Sequence, residues 1–224
     1  MTAVRIAFLG YGNVGAAIAT AVARAGHDVV LAVNPDRPDG AAELVARTPT
    51  LAAATVAPAA DAVTGADVVV LAVPFATLAD LLPRLADRLA GTVVVDATNP
   101  VGPGLTHGLG SQQAGAQHVA ALLPGANVVK AWNVYGFENL DQPPTGPAGL
   151  RPVMPFAGDD AAAKATVAGL LAQLGWEPLD VGPLAAAVDL EHMTLLWVRL
   201  VRALGHSPRL VWAALGDTPA DGGR

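Results

Sequence analysis

Gly10, Gly12 and Gly15 stand in the pattern G-x-G-x-x-G, as Gly10-Tyr11-Gly12-Asn13-Val14-Gly15, after an apolar run and before an alanine-rich stretch. In a strand–turn–helix setting these glycines have separate duties. Gly10 permits the tight turn, Gly12 lets a pyrophosphate approach the backbone, and Gly15 lets the helix pack on a sheet. The helix N-terminus adds unpaired N–H groups and a partial positive charge for phosphate. A glycine turn without a ligand is the alternative, and the placement between strand and helix favours the dinucleotide.

The next apolar run ends in Val33-Asn34-Pro35-Asp36-Arg37. An NAD site would place Asp or Glu here to accept from the ribose 2′-OH. Asn34 takes that position, and Arg37 offers a guanidinium suited to a 2′-phosphate. Asp36 must then turn its carboxylate away. NADP(H) is expected over NAD(H). No Ser-His-Asp or metal-ligand constellation is visible, and the chain has no cysteine, which excludes thiol chemistry and disulfides. Hydride transfer between two rings needs stacking, spacing and exclusion of water rather than a nucleophile. Lys130, one of two lysines, closes a strand at the edge where such folds bind ligands. It could donate to a ring carbonyl or a phosphate, and a strand-end lysine that reaches for solvent explains it equally. Asn133 could orient a carboxamide or an acceptor ring, or cap a loop. Trp132 reads as core. The five histidines do not cluster. His107, in a glycine-rich loop placed to cover the site, is the one to test.

These residues need a scaffold, and the apolar pattern supplies it. Val4–Leu9, Val29–Val33, Val68–Val73 and Val93–Val95 are β-branched runs without polar alternation, as in strands buried on both faces. A weaker strand is expected around Leu51–Val56. Helices are expected over Asn13–Ala25, Gly40–Arg47 and Thr77–Leu89. Strand, helix and strand in alternation mean a parallel sheet with right-handed crossovers. Further on, the expectations are a helix near Gln112–Leu122, a strand at Asn127–Ala131, a Pro/Gly loop over Gln142–Pro152 and a strand at Val153–Ala157. A helix over Asp159–Leu174, capped by the Asp159-Asp160 pair, and a strand at Trp176–Asp180 follow. Pro183 opens a long helix to about Leu204, apolar over most of its circumference, with Asp189, His192, Arg199 and Arg202 as a narrow polar strip. The fold class is α/β, a Rossmann-type doubly wound, mainly parallel sheet over 1–182. Residues 183–224 form a short helical appendage that completes the acceptor site rather than an independent domain.

Lys and Arg number 13 against 19 Asp and Glu, a net charge of −6, which argues against a nucleic-acid partner. Hydrophobic residues make up 53% and charged residues 14%, so disorder is excluded. No apolar run approaches the roughly 20 residues that span a bilayer, and Met1–Leu9 does not read as a signal peptide. A cytoplasmic protein without membrane contact is expected. The C-terminal helix carries more apolar surface than a monomer leaves in water, which points to a homodimer in which Met193 or Trp197 meets the partner chain.

Several segments together carry a resemblance: the glycine turn, Val73-Pro74-Phe75, Asp96-Ala97-Thr98-Asn99-Pro100, Val129-Lys130-Ala131-Trp132-Asn133, Ala157-Gly158-Asp159-Asp160 and Leu179-Asp180-Val181-Gly182-Pro183-Leu184. The chain resembles the NADPH-dependent deazaflavin (coenzyme F420) reductase family and the related NADPH domains of six-transmembrane metalloreductases, over roughly Val4 to Leu215. The resemblance implies hydride transfer between NADPH and a flavin-like ring, with deazaflavin F420 or a flavin as the small-molecule acceptor. It further implies that Tyr11, Gly12, Asn13 and Val14 contact pyrophosphate and ribose. Asn34 and Arg37 would face the 2′-phosphate, and Val73, Pro74 and Phe75 the adjoining ribose and adenine side. Thr98 and Asn99 would sit by the nicotinamide, with Lys130, Asn133, Val134 and Tyr135 framing the hydride-transfer pocket. Many relatives carry Arg at the Asn34 position and a basic residue near Val188, and this chain has neither. A reductase of imines or ketones and a non-catalytic NADP(H)-binding regulator are the alternatives.

Overall fold

The computed structural model describes residues 3–215, so the 216–224 part of the expected appendage lies outside the described residues. The first crossover sets the pattern. Strand β1 (Arg5–Leu9) leads through the glycine turn into α1 (Asn13–Arg24), which buries Gly15, Ile18, Ala19 and Val22. That spacing is one face of an α-helix laid on a sheet. Strand β2 (Asp28–Ala32), α2 (Gly40–Arg47), β3 (Thr55–Ala57) and α3 (Ala59–Val63) complete the first half. The second half begins with β4 (Val68–Leu71), a short α4 (Leu78–Leu81) and β5 (Val93–Asp96). A two-residue hairpin, β6 (Val101–Gly102) and β7 (Thr106–His107), opens the loop before α5 (Gly115–Leu122) and β8 (Asn127–Lys130). Strand β9 (Val153–Gly158), α6 (Ala161–Gln173), β10 (Glu177–Asp180) and α7 (Ala187–Val198) follow.

The main sheet runs β10-β9-β8-β5-β4-β1-β2-β3. The six strands from β3 to β8 are parallel, β9 runs antiparallel to β8, and β10 is parallel to β9. Every residue of β4 is buried, because helices cover both faces of the sheet. Burial of each such Val or Leu side chain contributes about 1.5–3 kcal/mol. Register puts Leu9, Leu71, Asp96 and Lys130 in one row at the carboxyl edge. That row lies under any ligand of the edge.

Four expected elements differ in form. Thr77–Leu89 is not a continuous helix: α4 ends at Leu81, and two 3-10 turns, Leu82–Arg84 and Ala86–Arg88, take over. Pro83 lacks the N–H that the α ladder requires. The third strand begins at Thr55 rather than Leu51, which sits in a 3-10 turn, Pro49–Leu51. Helix α5 starts at Gly115 rather than Gln112, where the Gln117 side chain accepts from the Ala114 N–H at 2.9 Å. The C-terminal helix is composite, with a 3-10 turn at Leu184–Ala186 before α7 and a wider π turn at Arg199–Ala203 after it. Asp160 caps α6 by accepting from the Ala163 N–H at 2.7 Å, while Asp159 accepts from the Leu184 N–H at 2.8 Å, ahead of α7.

The appendage is tied to its own sheet. The Trp197 indole donates to the Leu210 carbonyl at 2.8 Å, and the Val153 N–H of β9 donates to the Trp212 carbonyl at 2.9 Å. Trp197 is buried within its own chain and is not available to a partner. Leu196, Leu204 and Leu215 are the exposed large apolar side chains of this segment among the described residues, at 49%, 65% and 83%. Among the described residues no helix is long and apolar enough to cross a membrane.

Candidate functional site

The glycine turn stands at the carboxyl edge between β1 and α1. Gly10 has φ +103°, and a Cβ there would collide with the Ala72 carbonyl and lie 2.8 Å from the Val73 nitrogen. A Cβ on Gly15 would collide with the Gly10 carbonyl and press to 3.1 Å from the Ala72 Cβ. Both glycines are therefore required by the protein itself. Gly12 differs: it is exposed, at φ −65°, and among the described residues a Cβ there meets nothing within 4 Å. It is also the N-cap of α1, with no side-chain cap and no acidic residue in the first turn. The free N–H groups and the positive end of the helix dipole thus face open space, which fits a pyrophosphate.

A tight turn follows β2. The Asn34 carbonyl accepts from the Arg37 N–H at 2.9 Å, and Asn34 Oδ1 accepts from the Asp36 N–H at 3.0 Å. The oxygen of the Asn34 amide is thereby occupied, and its NH2 remains as a donor. Tyr11 binds this turn to the glycine turn, its hydroxyl donating to the Arg37 carbonyl at 3.1 Å. Arg37 is exposed and lies 3.3 Å from Glu43 in a surface ion pair, a contact of small energy that a phosphate could displace.

Beyond β4 and β5, Val73, Phe75 and Asn99 are half-buried at the same edge, Pro74 is exposed and Thr98 is buried. The Phe75 ring lies 5.8 Å from that of His118. Trp132 is buried and adopts φ +58°, turning the chain so that Asn133 meets Asn99. Asn133 Nδ2 donates to Asn99 Oδ1 at 3.0 Å and to Thr194 Oγ1 at 3.2 Å, while Asn99 Nδ2 donates to the Asn133 carbonyl at 3.1 Å. Two strand ends and α7 are joined through these three side chains. Asn133 Oδ1 is buried and has no hydrogen-bond partner among the described residues.

Lys130 is not available to a ring carbonyl or a phosphate. It is fully buried, and its Nζ lies 2.9 Å from Asp96 Oδ2, 2.6 Å from the Thr98 carbonyl and 2.8 Å from Glu191 Oε1. Its ammonium donates to Asp96 and the Thr98 carbonyl and forms an ion pair with Glu191, so its role is to hold the Thr98 backbone. Tyr135 is likewise a core residue: its hydroxyl donates to the Val153 carbonyl at 2.7 Å and accepts from the Trp212 N–H, and its ring stacks on Trp176 at 5.3 Å. Burial raises the Tyr135 phenol above its usual range. It belongs to the β9 side of the core rather than to a cofactor pocket. Val134 is also buried.

Glu191, Thr194 and Asp96 complete the arrangement and escaped sequence reasoning. Glu191 Oε2 accepts from the Gly115 N–H at 3.0 Å and lies 2.7 Å from His107 Nε2. Burial works against the Glu191 charge, but the Lys130 ammonium and the hydrogen bonds from Lys130, Gly115 and His107 outweigh it and hold the carboxyl below its usual range. The signal for Glu191 was an acid inside an almost wholly apolar helix. His107 is thus anchored from within, and its ring stacks on His192 at 5.5 Å beside a cleft of about 290 Å3 that Leu196 and Arg199 also line. A larger hollow of about 670 Å3, near Arg24 and Arg151, lies at the other end of α1, away from the glycine turn.

The arrangement has counterparts. The family model described as NADP oxidoreductase, coenzyme F420-dependent, matches residues 5–100. A protein of Arthrobacter sp. FB24 designated an F420-dependent NADP reductase is 30% identical, with 95% of this chain and 100% of that chain covered at a TM-score of 0.83. Hypothetical protein SMa0349 of Sinorhizobium meliloti is 32% identical over 84% of this chain and 88% of its own, at 0.72. Metalloreductase STEAP3 of Rattus norvegicus is 34% identical over 192 residues, which are 85% of this chain and 36% of that protein. The chain thus spans about a third of that relative. An imine reductase of Myxococcus stipitatus solved with NADP+ shares the fold at a TM-score of 0.62 and 20% identity, with 89% of this chain and 63% of its own covered. With an uncapped helix behind an open glycine and with a relative of 30% identity matched over its whole length, the chain belongs to the coenzyme F420-dependent NADP oxidoreductase family.

Proposed function

We propose that the protein passes a hydride between NADP(H) and a deazaflavin or flavin, as a cytoplasmic homodimer. The open space at Gly12, between two glycines that the fold itself needs, is the observation that carries this reading. The α1 N-terminus, with Tyr11, Asn13 and Val14 around it, binds the pyrophosphate. Asn34 and Arg37 hold the 2′-phosphate through an amide donor and a guanidinium. Val73, Pro74 and Phe75 form the wall beyond β4, and Thr98 and Asn99 the floor beyond β5. The bound nicotinamide supplies the hydride and its electron pair. The chain supplies position and dryness. Asn133 and Thr194 orient the Asn99 amide, Lys130 and Asp96 hold Thr98, and the loop between β6 and α5 covers the edge. The exposed Leu196 and Leu204 support a two-fold contact along the C-terminal segment. The test is to mix the protein with NADPH and either coenzyme F420 or FMN and follow the absorbance of reduced nicotinamide. Its decay with one of these acceptors is expected; persistence with both, in a protein that binds NADPH, would refute the acceptor class.

A further inference from the structure

Three charges that hydride transfer does not itself require are buried together under the carboxyl edge. Lys130 carries the positive one. Asp96 is an acceptor only, taking hydrogen bonds from the Thr98 N–H at 2.9 Å, the Thr98 hydroxyl at 2.6 Å and Lys130 at 2.9 Å. Glu191 Oε2 takes them from Gly115 and His107, and its Oε1 pairs with the Lys130 ammonium at 2.8 Å, which with those bonds holds the carboxyl below its usual range. His107 adds no positive charge to the group. Its Nδ1 accepts from the N–H groups of Leu109 and Ser111, each at 3.2 Å, which leaves Nε2 as the single protonated nitrogen, facing Glu191. One cation and two carboxylates leave a surplus of one negative charge away from water, an arrangement that costs stability.

The surplus sits at one particular place. Asp96 ends β5, and Thr98, whose backbone it shares with Lys130, adjoins Asn99 at the edge. In a doubly wound sheet the pyrophosphate lies at the first glycine turn and the second half of the dinucleotide lies over the next strand ends, here those of β4 and β5. Loss of a hydride with its electron pair turns a neutral dihydronicotinamide into a cationic ring. We propose that the surplus negative charge of the Asp96–Lys130–Glu191 cluster stabilises the oxidised, cationic nicotinamide of NADP+ over the reduced ring of NADPH, and so biases the bound couple toward hydride donation. This rests on the NADP(H) reading above and is independent of the acceptor.

The measurement is the affinity of NADP+ and of NADPH, by calorimetry, for the wild type, Glu191→Gln and Glu191→Asp. The ratio Kd(NADP+)/Kd(NADPH) is expected to rise roughly tenfold in Glu191→Gln, the scale of one unit charge felt at an effective dielectric of about 20. Glu191→Asp keeps the charge, so its ratio stays at the wild-type value even where both affinities weaken. A cluster that acts only as a structural clamp weakens both nucleotides alike; an unchanged ratio in Glu191→Gln, or an equal change in Glu191→Asp, overturns the inference. Should Glu191→Gln not fold, Asp96→Asn removes the same surplus and is judged by the same ratio. A wild type that binds neither nucleotide refutes the NADP(H) reading and the inference with it.

Discussion

Replacing Lys130 by Met takes the ammonium out of the buried cluster while nearly preserving side-chain volume, so little cavity forms. What remains is two carboxylates, Asp96 at 0% exposure and Glu191 at 1%, with no cation between them. Removal of one partner from a buried ion pair typically costs about 3–5 kcal/mol, because the other charge is left uncompensated. Against a domain stability of about 5–15 kcal/mol, that is a large fraction. The pH dependence gives a second check. In the wild type the Glu191 carboxyl lies below its usual range, so it contributes stability above the ordinary glutamate value that is lost as pH falls through the lowered one. Without Lys130, burial, the largest single influence on this group, is opposed only by the hydrogen bonds of Gly115 and His107. The carboxyl then shifts up, and the variant gains stability relative to the wild type on acidification. Urea titrations of both proteins at neutral pH and at pH about 5 read both effects. A neutral-pH loss below about 1 kcal/mol, or a deficit that widens on acidification, would refute the reasoning.

Gly12→Val is expected to fold with a melting temperature near that of the wild type, since its Cβ meets nothing, and to lose dinucleotide binding in calorimetry. Normal affinity in the folded variant would remove the turn from the site. Arg37→Ala should weaken NADP(H) binding about ten- to a hundred-fold, or ~1.5–3 kcal/mol, and leave NAD(H) binding unchanged. Equal losses for both nucleotides would disprove a 2′-phosphate contact. Leu196→Asp is expected to shift light scattering at micromolar concentration from the mass of two chains to that of one. A wild type that already scatters as a single chain sinks the dimer.

The doubly wound sheet was legible because its strands are buried on both faces. Runs such as Val68–Leu71 have no polar alternation to confuse with an exposed strand, and the helices between them show their own period. The glycine turn was legible for a related reason: backbone geometry alone demands Gly10 and Gly15, so local sequence carries it. Helix breaks were harder. Pro83 stood in plain view, but the apolar residues around it keep helical spacing, and packing rather than period decided that 3-10 turns would complete the segment.

Lys130 and Tyr135 show where local reading stops. Both lie in segments that lead to the carboxyl edge, and nothing nearby in the sequence reports what their polar atoms meet. Lys130 finds Glu191 from α7, and Tyr135 finds Val153 and Trp212. Thr194 reaches Asn99 across 95 positions in the same way. The sequence by itself determined the layered sheet and the glycine turn between β1 and α1, since each follows from backbone sterics or hydrophobic period within one crossover. Only the tertiary structure decided which polar residues face a ligand and which are spent on one another, because a buried charge is defined by partners that the fold brings from distant parts of the chain.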